Sequence, residues 1–164
     1  VKNLCLAFAV FVGATSVGCA EPIEPLQFAD REFRPFQRQV YPVLLRDCGF
    51  PACHGSKERF FRVWGPGRTR MPSLDEMTGE MVTPDPFDSP TGEEQLASYT
   101  LALSMLEERD ITQSLLLRKP LAVEAGGAGH FGTDLYGRDV YRTTQDSGYV
   151  VLARWVLSAQ EETP

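Results

Sequence analysis

The sequence predicts a mainly α-helical protein, a small helical domain with long loops. Apolar residues recur at three- and four-residue steps in three separate stretches, the pattern of an amphipathic helix. Regular alternating β-branched runs, the raw material of a sandwich or barrel, are too few. Twelve prolines and fourteen glycines mark plentiful turns between the helices. With 164 residues, 43% of them hydrophobic and 23% charged, the chain can bury one core. A net charge of −6 argues against a nucleic-acid partner, because nothing would neutralise phosphates.

The first residues read as an export signal. Lys2 supplies a short positive start, and Leu4 to Val12 an apolar run too short for a stable membrane span. Ser16-Val17-Gly18-Cys19 follows and resembles the bacterial lipobox, in which small residues precede a cysteine that is lipidated. That resemblance implies cleavage between Gly18 and Cys19 and acyl chains on Cys19, which would hold the chain to a membrane. A common secretory signal cut nearby is the plainer alternative. The expected organisation is a lipoprotein signal peptide at 1–18, a tether at 19–30, one domain at 31–160 and a tail at 161–164. Pro22 and Pro25 among Glu21 and Glu24 suit a tether. The expected location is the cell envelope, lipid-anchored and facing the periplasm, and Ala20 after Cys19 is compatible with outer-membrane sorting. Processing removes Cys5, so Cys48 and Cys53 meet an oxidising compartment and must bond each other or something else.

Within the domain, Phe33, Phe36, Val40 and Leu44 form the first helical stripe. Pro35 suits its first turn, and Pro42 should kink or split it. The helix ends on Cys48. Arg59 to Trp64 reads as a short extended segment closed by the turn Gly65-Pro66-Gly67. Thr91 and Glu94 make a capping box for a helix with Leu96, Tyr99, Leu103 and Leu106 on one face. Asp110 caps a short helix through Leu117, ended by Pro120. Gly126 to Gly132 is a glycine-rich loop around His130. Asp146 caps the last helix, with Tyr149, Leu152, Val156 and Ala159 buried and Trp155 flanking.

Chemistry concentrates in Cys48-Gly49-Phe50-Pro51-Ala52-Cys53-His54. Two close cysteines with a histidine directly after the second are the attachment order of a c-type haem. The thiols must reach two vinyl groups on one porphyrin edge, and the imidazole must then lie under the iron. The spacing here is C-x4-C-H where C-x-x-C-H is usual. Gly49 and Pro51 allow the two additional residues to bulge outward. The alternatives are a small Cys48–Cys53 disulfide loop beside a surface His54, a metal site, or free thiols.

Four segments, in order, resemble the planctomycete-type cytochrome c domain. They are Phe36-x3-Val40-Tyr41-Pro42-Val43-Leu44 leading to Cys48 and then Ala52-Cys53-His54-Gly55; Ser114-Leu115-Leu116-Leu117-Arg118-Lys119-Pro120; Gly126 to His130; and Tyr149 to Val156. The spacer is longer than that family's, and His130 follows its glycines instead of preceding them. The resemblance implies a small cytochrome c-like helical domain with long loops and one covalent haem c, held by Cys48, Cys53 and His54.

Haem iron in an electron carrier usually has two axial ligands. His54 is the proximal candidate. His130, the other histidine, is the expected sixth ligand; its bland reading is a loop histidine bonded to backbone. Met71, in the same segment as Met77 and Met81, is the alternative sixth ligand, and no strong sixth ligand is the remaining reading; Met105 reads as core. Phe61 and Val63, with Phe60 and Trp64, are candidates to line the haem pocket. Arg68 and Arg70 are candidates to pair with its propionates, with solvated surface arginines as the bland reading.

The function implied is electron transfer or redox sensing by a membrane-anchored monohaem lipoprotein that meets a redox partner protein. The alternative is a non-haem structural or interaction lipoprotein with a Cys48–Cys53 disulfide in a degenerate cytochrome fold. An enzyme is not expected. There is no Ser/His/Asp arrangement, phosphate loop or H-E-x-x-H, and zinc on Cys48, Cys53, His54 and His130 would be crowded.

Overall fold

A computed structural model describes residues 30–130, 133 and 137–158. The expected signal peptide, Cys19, the tether up to residue 29, Ala159 and the tail lie outside the described residues. The described chain is mostly α with little sheet.

The opening helical run goes from α1 (Asp30–Pro35) through a π-helical stretch (Phe36–Val40) and α2 (Tyr41–Val43) to a second π-helical stretch (Leu44–Cys48). Right-handed helical dihedrals hold at every junction. Pro35 is therefore the last residue of α1, not part of a first turn. Pro42 does not split the run. A proline lacks the N–H that would reach four residues back. Here the turns on either side widen: the Tyr41 N–H bonds the Phe36 carbonyl, and the Gly49 N–H bonds the Leu44 carbonyl at 2.7 Å. Each donor reaches five residues back, the π pattern, so the run absorbs Pro42 and carries Cys48 into a buried position.

A small hairpin absent from the sequence reading follows. β1 (Ser73–Leu74) pairs antiparallel with β2 (Met81–Val82), with Ser73 opposite Val82. Asp75 closes its turn by accepting the Met77 and Thr78 N–H groups.

α3 (Gly92–Leu103) begins with the expected capping box between Thr91 and Glu94. Of its expected face, Tyr99 is buried and Leu103 and Leu106 pack against the core, whereas Leu96 does not. Glu94, Ser98, Tyr99 and Ala102 point inward, and Leu96 is 48% exposed. Glu94 can join the buried face because its carboxylate takes a fork of bonds from buried Arg70 at 2.7 and 3.1 Å. Asp110 caps a 3-10 turn (Ile111–Gln113), and Ser114 then starts a separate turn, α4 (Leu115–Arg118). A further 3-10 turn (Val123–Ala125) runs into Gly126 at φ +97°, a left-handed position that glycine takes without strain.

In α5 (Ser147–Ser158), Gly148, Leu152, Trp155 and Val156 are buried. Trp155 belongs to the core stripe instead of flanking it. Asp146 precedes the helix but turns back to accept the Arg142 and Thr143 N–H groups. Phe36 is the hub of the core. Its ring lies 5.3 Å from Tyr99 of α3 and 5.3 Å from Trp155 of α5, so three helices meet on one aromatic cluster.

Two bonds tie the loop after His54 to this core. The buried Tyr41 hydroxyl donates to the Trp64 carbonyl at 2.7 Å, and the Trp64 N–H donates to the Ser98 hydroxyl at 3.1 Å. Tyr41→Phe leaves that carbonyl without its donor. It is expected to lower stability by about 1–2 kcal/mol in urea unfolding, with an unchanged denaturant slope.

Candidate functional site

The second π-helical stretch ends at Cys48, and the next seven residues fold into a closed knot. The His54 N–H returns to the Cys48 carbonyl at 3.0 Å, and the Gly55 N–H bonds the Phe50 carbonyl at 2.9 Å. These bonds bring the residue after the second cysteine back beside the first. The two spacer residues beyond the usual number are accommodated outward: Phe50, Pro51 and Ala52 are all exposed. Cys48 and Cys53 are thiols here, unbonded to each other. Burial, the Asp47 carboxylate and the neighbouring Cys53 push the Cys48 thiol up to about 12.

Gly55 lies under the knot without room for a side chain. A Cβ there would run into the Gly49 carbonyl oxygen and come within 2.7 Å of the Arg68 side chain. Gly55→Ala is expected to cost about 1–3 kcal/mol of stability, read as a lowered urea midpoint, because the first obstacle is backbone.

His54 is fixed by its far nitrogen. Nδ1 lies 2.8 Å from the Phe61 carbonyl oxygen. A carbonyl only accepts, so the proton sits on Nδ1, and the Nε2 lone pair faces away, as a metal ligand requires. The Phe61 ring packs edge-on against the imidazole at 4.9 Å. Burial lowers the His54 pKa against the opposing pull of the Phe61 carbonyl, which favours the neutral ring.

His130 comes to the same place. Its ring centroid lies 5.7 Å from that of His54, with the planes inclined at 46°. Imidazoles this close could both serve one iron. The glycine loop is pinned for this. The Gly127 N–H bonds the Ala122 carbonyl, the Ala128 N–H bonds the Arg118 carbonyl, and Lys119 reaches the Gly129 carbonyl at 3.2 Å. Phe131 and Gly132 lie outside the described residues.

Met71 goes elsewhere. It borders an open groove of about 560 Å³ with Trp64, Leu96 and Leu101, and its N–H bonds Glu94. Met77 and Met81 are exposed on the hairpin, and Met105 packs on the core. That groove and a second depression at Ala122, Glu124 and Arg138 are lined by neither His54 nor His130.

Of the candidate pocket residues, Phe61 meets His54 and Val63 is buried, whereas Phe60 is 80% exposed. Trp64 lies in the groove, with the Arg62 guanidinium 4.8 Å above its ring. Arg70 is not a propionate partner, because Glu94 and the Asp85, Asp88 and Ser89 carbonyls take its donors. Arg68 backs the knot. It bonds the Leu45 carbonyl, lies over Phe50, and has its Nε buried without a hydrogen-bond partner.

Among the described residues no three His, Cys, Asp or Glu side chains converge as a bare metal cage needs. The four-ligand zinc arrangement is not formed. The donor set does fit covalent haem: two thiols, an imidazole protonated on its far nitrogen, and a second imidazole close by. The Phe61 carbonyl was invisible to sequence reasoning, since any residue supplies one. Gly55, directly after His54, was the signal available for the tight packing beneath the knot. Comparison with protein-family models, curated proteins and solved structures found no match to this chain.

Proposed function

We propose that the chain is a membrane-anchored monohaem c-type cytochrome-like lipoprotein that transfers or senses single electrons. The observation that carries this reading is the His130 ring lying 5.7 Å from that of His54, directly beside the knot that holds both cysteines. The Cys48 and Cys53 thiols would each add across a vinyl group, sulfur to one carbon and hydrogen to the other, a step that needs no oxidant. His54 would ligate the iron, with the Phe61 carbonyl setting its tautomer and tilt, and His130 would take the sixth position. Haem bound there supplies a one-electron iron couple. The chain's own part is to hold two imidazoles in place and to bury the first thiol. No substrate chemistry is assigned to it.

Attachment to the cell envelope rests on Ser16 to Cys19 and lipid on Cys19. Among the described residues no helix is long and apolar enough to cross a membrane.

The test is the full chain expressed in a host with cytochrome c maturation, denatured in alkaline pyridine. The expected result is a haem spectrum that stays with the polypeptide and is lost when Cys48 and Cys53 are both replaced by serine. A colourless protein carrying a single disulfide by mass would instead identify the non-haem alternative, a tethered interaction module.

A further inference from the structure

We propose that the knot and the segment after it, from Phe50 through Arg68, form the docking face for an acidic partner protein. This deepens the haem reading and rests on it by naming the partner's chemistry. The first observation is charge. Acidic residues outnumber basic ones in the chain, 22 to 16. Yet residues 50–68 carry Lys57, Arg59, Arg62 and Arg68 with Glu58 as the only acid among them. Among the described residues, carboxylates pair with Arg46 and Arg70, and none lies within ion-pair distance of these four cations. The acids gather on the next stretch, at Asp75, Glu76, Glu80, Asp85 and Asp88. This segment therefore carries a sign opposite to that of the whole chain.

The second observation is apolar exposure on the same segment. Phe50 is 52% and Phe60 80% exposed. Neither fills the core, and Phe50 is braced by the Arg68 guanidinium 5.1 Å from its ring. Aromatic residues among cations suit an interface centre with a charged rim. The third is rigidity without regular structure. The Arg62 guanidinium binds the Lys57 and Arg59 carbonyls and lies over Trp64. The Val63 N–H bonds the His54 carbonyl at 2.7 Å, and the Thr69 N–H and hydroxyl both bond the Gly55 carbonyl. A face held this way gives up little conformational freedom when a partner binds. Its acidic partner would be drawn to the segment that carries His54, which is where an electron must cross.

Two readouts test this on the full chain. With the reduced haem-loaded protein, oxidation by the trianion hexacyanoferrate(III), which takes one electron per haem, is followed by stopped flow. Local positive charge predicts a rate that falls at least about threefold as salt rises from about 10 to 200 mM. A rate that rises with salt would mean that the net negative charge governs, and would overturn the proposal. Lys57→Glu with Arg59→Glu should reverse the slope.

The other readout needs no haem: titration with poly-L-glutamate, followed by backbone amide NMR. Shifts confined to residues 50–68, and weakened by Phe60→Ser, are expected. Scattered or absent shifts overturn the proposal, as does binding only to vesicles of anionic phospholipid. A colourless protein that still shows the confined shifts removes the haem reading and leaves the acidic-partner face standing.

Discussion

Glu94→Gln is expected to lower the stability of the folded chain by about 3–5 kcal/mol, a large share of what a domain this size has. Glu94 is fully buried and Arg70 nearly so. One carboxylate oxygen takes Arg70 Nε and the Met71 N–H, and the other takes Arg70 Nη2 and the Thr91 N–H. Removing the negative charge leaves a guanidinium buried without its counter-charge. The pair also organises more than itself: the Asp85 to Ser89 loop hangs on Arg70 through its carbonyls. Replacing both residues by methionine removes the stranded charge, so the double variant should recover much of the loss.

Acid provides an independent check. Burial opposes the charge on Glu94, but the bonds from Arg70, Met71 and Thr91 outweigh it and hold the carboxyl below its ordinary range. A depressed carboxylate pKa contributes stability that is complete above the unfolded value, near 4.3, and is lost as pH falls through the folded value. Urea midpoints of the parent chain should therefore drop below about pH 4. Glu94→Gln should lack that part of the acid slope.

His130→Ala in the haem-loaded protein is expected to convert the iron from a six-coordinate low-spin to a high-spin form, visible in the absorption and paramagnetic resonance spectra. Met71→Leu should leave both spectra unchanged. The contrast follows from placement. His130 lies beside His54 on a loop pinned at both Gly127 and Gly129, whereas Met71 is held at the α3 groove by its N–H bond to Glu94. Conversion by Met71→Leu, with His130→Ala silent, would reassign the sixth ligand. A low-spin spectrum from both variants would show that neither residue holds the iron.

The capping box at Thr91 and Glu94 was readable because both halves lie within one turn, and short-range chemistry leaves few other outcomes. The helical stripe of Phe36, Val40 and Leu44 was readable because periodicity is a local property, and all three are buried. Pro42 left two outcomes open, a kink or a split, for the opposite reason. Its effect depends on whether the neighbouring turns can widen, and a packed helical run can let them. Leu96, expected inside, is exposed and Glu94 is buried, because burying an ion pair required Arg70, far along the chain, to arrive in the right orientation.

By itself, the sequence determined which atoms were on offer: two thiols and an imidazole in seven residues, a second imidazole among glycines, and helices to carry them. Those are matters of covalent order and of bonds made within a turn or two. Only the tertiary structure decided that His130 stands beside His54, that the Phe61 carbonyl orients the first ring, and that Met71 is turned toward α3. Such pairings join residues distant along the chain, and they arise when the Phe36, Tyr99 and Trp155 cluster draws three helices together and the loops between them close.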